Sequence, residues 1–162
     1  MTPVPNGLPE ILQYYGDPYE YIGPDGSLSP LWETNHITRV VLPVPIPYAV
    51  DHDVMIRKVA CHQLIATEMA TVFQTIFNHA LWYLLTSYGG GYNPRAQKGS
   101  HKWSTHTWGL AVDLNVETNR QRSVGDMDPR IIEIFKDHGF MWGGEWKGRS
   151  RDPMHFQRVT GY

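Results

Sequence analysis

From His62 to Leu85 apolar side chains recur at three- and four-residue steps: Ile65, Met69, Val72, Phe73, Ile76, Ala80 and Leu84. That period is one face of an amphipathic helix, which must lay its stripe on another apolar surface. The stripe reads as core rather than as a partner surface, so the rest of the chain has to cover it. Tyr88-Gly89-Gly90-Gly91-Tyr92-Asn93-Pro94 then breaks the pattern. Three glycines allow tight backbone geometry, but no Gly-Lys-Ser/Thr ending follows, which argues against a phosphate loop.

The covering elements are short. Trp108 to Asn115 alternates as a strand, with Leu110, Val112 and Leu114 on one face and Ala111, Asp113 and Asn115 on the other. Pro129 to His138 reads as a helix with Asp128 as its cap, Pro129 in its first turn and Gly139 just past its end. Met154 to Val159 reads as a final strand, and His36 to Leu42 also has strand character. Pro43-Val44-Pro45-Ile46-Pro47 is excluded from a central strand, because proline donates no backbone hydrogen bond. Its apolar intervening residues suggest a covering connection, with a polyproline ligand as the alternative. Residues 1 to about 35 are rich in Pro, Gly and Tyr and read as irregular. Tyr14, Tyr15, Tyr19, Tyr21 and Trp32 are too many aromatics for a free tail, so this stretch is expected on the core. The pattern is α+β. At 162 residues and 41% hydrophobic, the chain suits one structural domain, an N-terminal wrap (1–50) on a core (51–162).

Charge and cysteine content remove several functions. The net charge of -2 argues against a nucleic-acid binder, which needs clustered Lys and Arg. No run of like charge suggests a membrane patch, and no stretch approaches the ~18 apolar residues that span a bilayer. Cys61 is the sole cysteine, so neither an internal disulfide nor a multi-thiolate metal site can form. It reads as a small buried residue rather than a nucleophile.

Three segments then belong together: Ser104 to Asp113, Trp142-Gly143-Gly144-Glu145-Trp146, and Asp152-Pro153-Met154-His155-Phe156. A catalytic zinc site takes three protein ligands and keeps a position open for water. Imidazole and carboxylate suit Zn²⁺ without any thiolate. His106 ends a turn, Asp113 lies on the strand that follows, and His155 can arrive from the last strand beside it. Gly109 lets the chain bend between the first two. A general base is also needed, and Asp152 stands three residues before His155, with Glu145 as its competitor. Arg95 is the candidate to face developing negative charge or to clamp a substrate carboxylate. His101 lacks the flanking residues of His106 and reads as a surface or rim residue. His36, His52, His62, His79 and His138 have no comparable surroundings.

These segments resemble the M15 metallopeptidases, whose pattern is Ser-x-His-x-x-Gly-x-Ala-x-Asp, then Gly-Gly-x-Trp, then Asp or Glu-x-x-His. It is met by Ser104, His106, Gly109, Ala111 and Asp113, then Gly143, Gly144 and Trp146, then Asp152 and His155. Arg95 matches an upstream arginine of that family, and the likeness covers roughly residues 60 to 160. The resemblance implies a small antiparallel sheet carrying the zinc site and packed against helices, the fold shared with hedgehog-type domains. It implies one Zn²⁺ on His106, Asp113 and His155, Asp152 as base, and Arg95 and Ser104 assisting the substrate. It implies hydrolysis of a peptide bond in the peptidoglycan stem peptide, as an L-alanyl-D-glutamate endopeptidase or a D-alanyl-D-alanine carboxypeptidase.

Other readings stand beside these. Trp142 and Trp146 either stack on substrate or brace the site. Ser104 either bonds substrate or shapes the turn before His106. A zinc-containing module that binds peptidoglycan without cutting it is the alternative function, and a Ser104/His106/Asp113 triad is a third, though no Gly-x-Ser-x-Gly elbow exists. The opening MTPVPNGLPEILQYYG lacks the form of a secretory signal, so the chain is expected to be made in the cytoplasm, as a monomer, and to reach the wall by release or export.

Overall fold

In a computed structural model, which describes residues 3–97 and 99–162, two sheets and four α-helices share one apolar core. In chain order the elements are α1 (Gly7–Tyr15), α2 (Pro30–His36), β1 (Ile37–Pro47), β2 (Met55–His62), α3 (Ala66–Asn78), β3 (Tyr88–Gly90), β4 (Ala111–Leu114), α4 (Pro129–Asp137), β5 (Met141–Trp142) and β6 (His155–Gln157). This is the α+β class expected. β1 and β2 form an antiparallel hairpin, and the other strands form an antiparallel sheet of order β3-β4-β6-β5. No helix of the described residues is long and apolar enough to cross a membrane.

The stripe on α3 is core: Ile65, Met69, Val72, Phe73 and Ile76 are fully buried. The helix is shorter than its periodicity suggested. His62 closes β2 instead, and its ring Nδ1 accepts the Leu64 N–H to start a 3-10 turn. At the other end Ala80 takes a left-handed φ of 57°. The Leu81 N–H reaches back to the Ile76 carbonyl and that of Ala80 to Phe77, both at 3.0 Å. This is a Schellman ending built without glycine, so the sequence carries no stop signal there.

Two further expectations are corrected. Residues 3 to about 35 are not irregular: they hold α1 and α2, with Ser29 capping α2 and Pro30 in its first turn, while the strand expected from His36 is β1. The Pro43–Pro47 segment is not a covering connection but the end of β1. It tolerates three prolines because β1 pairs on one side only, and its register with β2 shifts between Val41 and Ile46. Met1 and Thr2, the start of the proposed wrap, lie outside the described residues.

The N-terminal elements are fastened to the segments that carry the site. Ile11, Tyr15 and Trp32 are buried. Trp32 Nε1 donates to the Thr107 carbonyl, and Trp108 Nε1 donates to the Gly16 carbonyl, each at 3.0 Å. Arg158, fully buried, pairs with Glu68 at 3.3 Å and donates to the carbonyls of His138 and Pro3. A buried cation is tolerable only when its donors are used in this way.

Candidate metal centre

The sheet register assembles the site. Asp113 lies directly opposite His155 and Ala111 opposite Gln157 in the β4–β6 pair, so all four share one face. Val112 and Phe156 turn to the other face and into the core. His106 comes from a 3-10 turn (Thr105–Trp108) whose first N–H groups are capped by Ser104 Oγ, which accepts from the His106 N–H at 3.3 Å. Gly109 ends that turn at φ 69° against β2. A Cβ there would stand 2.6 Å from the His62 nitrogen. Only glycine meets both conditions.

The three donors converge. His106 Nε2 lies 3.2 Å from His155 Nδ1 and 3.3 Å from Asp113 Oδ2, and His155 Nδ1 lies 2.9 Å from Asp113 Oδ1. Donors held at about 2.0–2.1 Å around a tetrahedral ion stand roughly 3.3 Å apart. The outer ring nitrogens set the tautomers. His106 Nδ1–H donates to the Gly91 carbonyl at 2.7 Å, which leaves Nε2 as a lone pair. Gln157 spends its amide N–H on the Val159 carbonyl, so its oxygen faces His155 Nε2 at 3.0 Å and accepts from Thr105 Oγ at 3.1 Å. His155 Nδ1 is thereby the lone-pair nitrogen. Two lone pairs and a carboxylate then meet within about one hydrogen-bond length, an arrangement that repels itself unless a cation sits among them. The residues fit a divalent metal, and His106, Asp113 and His155 are the group of metal-ligating side chains found among the described residues.

Charge follows this geometry. Burial opposes ionisation of Asp113, but the two histidines outweigh it and hold its carboxyl far below the usual range. Burial also opposes protonation of His155, yet Asp113 beside Nδ1 raises its pKa, because a positive charge at that nitrogen, a proton's or a cation's, is attracted to the carboxylate. Asp152 goes the other way. Burial pushes it up to about 6, with Asp113 adding and His155 and Arg95 opposing. Its Oδ1 is buried without a hydrogen-bond partner. Its backbone is fixed by an N–H to the Gly143 carbonyl at 2.9 Å and by accepting from the His155 N–H at 3.1 Å. A Cβ on Gly143 would stand 2.4 Å from that Asp152 carbonyl, so the Gly-Gly of the second segment serves this contact. An unpaired buried carboxylate oxygen beside side chains that could hold a metal has the chemistry for proton transfer.

Around this core, Arg95 Nη2 stands 3.9 Å from Asp113 Oδ2 and keeps nearly half its side-chain surface in solvent. Trp146 packs its ring 5.4 Å from that of His155. Trp142 turns its Nε1 to the Pro153 carbonyl at 2.7 Å and lies over Gly144, a bracing contact. Glu145, the rival to Asp152, is exposed and pairs with Lys136 instead. Both ring nitrogens of His106 are engaged elsewhere, so Ser104 has no base and the triad reading fails. Cys61 is fully buried and its thiol is pushed up to about 12 by burial, which leaves no nucleophile. His101 is exposed.

Three contributors were not anticipated. Thr105 and Gln157 were within reach, since a two-residue step along the last strand puts Gln157 on the face of His155. The Gly91 carbonyl depends on how the glycine-rich segment meets β2, where a Cβ would stand 2.4 Å from the Ala60 carbonyl oxygen. Glycine permits that approach, but no residue type encodes which carbonyl meets His106.

Comparison with known proteins bears on the same segment. Residues 98–158 match the sequence profile of a family described as D-alanyl-D-alanine carboxypeptidase, peptidase M15. Over 67 residues the chain is 31% identical to the peptidoglycan L-alanyl-D-glutamate endopeptidase CwlK of Bacillus subtilis (strain 168). That match spans 35% of this chain and 40% of the relative's length.

Proposed function

We propose that the chain, whose residues 98–158 match the M15 peptidases, is a zinc-dependent peptidase of that kind acting on the stem peptide of peptidoglycan. Of the two bonds considered, the relative's name favours the one between L-alanine and D-glutamate over the terminal D-alanyl-D-alanine bond. One observation carries the catalytic reading: the partnerless carboxylate oxygen of Asp152 beside the His106–Asp113–His155 triad. A module that only binds has no use for a buried, unpaired carboxylate, which destabilises the fold it sits in.

His106, Asp113 and His155 would hold Zn²⁺, which when bound would supply Lewis acidity toward the substrate carbonyl and make a water acidic near neutral pH. The chain's own residues do the rest. Asp152, whose carboxyl burial raises toward neutrality, takes a proton from the attacking water and later delivers it to the leaving amine. Arg95, with Nη2 3.9 Å from Asp113 and half in solvent, offers its N–H groups to the oxyanion or to a substrate carboxylate. Trp146 walls the site beside His155 and excludes water.

Digestion of purified peptidoglycan, followed by mass spectrometry of the fragments, tests this. New L-alanine carboxyl and D-glutamate amino ends, suppressed by a chelator and restored by zinc, are expected. Loss of D-alanine alone assigns the carboxypeptidase reaction. Intact muropeptides with zinc-loaded protein contradict the proposal.

A further inference from the structure

Residues 120–122 and 147–151 hold five of the chain's fourteen lysines and arginines, although the whole chain is net -2. The cations are Arg120, Arg122, Lys147, Arg149 and Arg151, and no acidic residue lies within either segment. The Arg122 N–H donates to the Arg151 carbonyl at 2.7 Å, so the two loops form one patch. Arg120, Arg122, Lys147 and Arg149 are exposed, and none enters an ion pair among the described residues. Of the carboxylates that flank these loops in sequence, Glu117 is used on His52, Asp126 on Thr118 and Asn119, and Glu145 on Lys136, while Asp152 faces His155, Asp113 and Arg95 in the site. An ordinary solvated surface intersperses the two signs. This one gathers a single sign and repels itself until an anion arrives.

The patch borders the site. The 147–151 loop leaves from Trp146, whose ring packs near His155, and returns at Asp152, so both of its ends are site residues. Arg151 Nε donates to the Trp146 carbonyl at 3.3 Å and closes the loop on itself.

We propose that this basic rim binds the free carboxylates of the stem peptide beside the scissile bond, and so selects an acid substrate over its amidated form. The proposal rests on the peptidase reading and names the substrate feature that reading leaves open. A dicarboxylic residue spends one carboxyl on its peptide link and keeps the other, and arginine forks match a carboxylate edge. Each exposed pair is weak and screened by salt, but several cations of one sign together raise the local concentration of an anionic substrate.

The test compares two soluble stem peptides, one with free side carboxyls and one with those carboxyls amidated. They are given to the zinc-loaded wild type and to the Arg122→Gln/Lys147→Gln/Arg149→Gln variant. The wild type is expected to show a KM roughly three- to tenfold lower for the acid peptide at low salt, with the gap closing as salt rises. The variant is expected to lose the gap. Equal KM values in the wild type, or a gap that survives in the variant, overturn the proposal. So does an effect confined to whole walls bearing phosphodiester polymers, which assigns the rim to the polymer. If the wild type cuts neither peptide, the peptidase reading has failed. Calorimetric titration of the same two peptides into both proteins then still decides the rim by the same comparison.

Discussion

The carboxamide of Gln157 has its N–H on the Val159 carbonyl and its oxygen turned to His155 Nε2 and Thr105 Oγ. Gln157→Leu removes the acceptor, so the imidazole proton is free to move to Nδ1, the nitrogen aimed at the ligand cluster. Zinc affinity is expected to fall about ten- to a hundredfold, as for other lost partners of metal-bound histidines, while Gln157→Glu keeps most of it. A competitive chelator titration reads this directly, and unchanged affinity in the leucine variant removes Gln157 from that role. Asp152 behaves differently because it holds a proton rather than a ligand. Asp152→Asn is expected to bind zinc normally and to lose roughly a hundredfold or more in kcat. Its carboxyl sits at about 6 because burial raises it, so the ionised base is depleted below that pH. A bound Zn²⁺ would draw that value down, so the wild-type kcat/KM should fall toward acid at or below about pH 6, and the residual activity of Asp152→Asn should lack that limb. The same acid limb in Asp152→Asn contradicts the assignment. At this scale the convergence of His106, Asp113 and His155 was legible because a metal site would need specific residue types at specific spacings. The Gly91 carbonyl was not, since any residue carries one.

Short elements depend on tight approaches between them. The 3-10 turn that presents His106 ends at Gly109, which lies against the His62 nitrogen and has a left-handed φ. Gly109→Ala meets both obstacles together and should cost more than about 2 kcal/mol, visible as a lower urea midpoint with a normal slope. A variant of unchanged stability shows that the turn has another conformation available. The same scale explains what the sequence did and did not disclose about the fold. α4 was legible from Asp128, Pro129 and Gly139, all local signals, and it ends within a residue of expectation. α3 was overextended because Ala80 takes a conformation that glycine normally announces. The proline-rich end of β1 was misjudged because its one-sided pairing is a property of the sheet and not of the segment.

Across the whole molecule, residues 3–36 close over the back of the site through contacts far apart in sequence, and local patterns carry no trace of them. His62 stands at their centre. Its Nε2 bonds the Tyr15 carbonyl at 3.1 Å, its ring packs edge-on to Tyr15, and Nδ1 receives the Leu64 N–H. Burial lowers its pKa from 6.5 to about 4, although the Tyr15 carbonyl works against this. The unfolded chain takes up that proton first, so the contribution is whole above about pH 6.5 and is lost as pH falls toward about 4. On the order of 3 kcal/mol is at stake. Urea midpoints measured at about pH 7.5 and about pH 5 should fall with acid in the wild type and less in His62→Asn. Equal slopes in the two proteins place the acid sensitivity elsewhere.

The account as a whole turns on a cation among His106, Asp113 and His155. The most direct test is metal content per chain after equilibrium dialysis against zinc, for the wild type and for His155→Ala. One equivalent in the wild type and none in the variant is the predicted result. A wild type that retains no zinc, or a variant that still retains one equivalent, contradicts it.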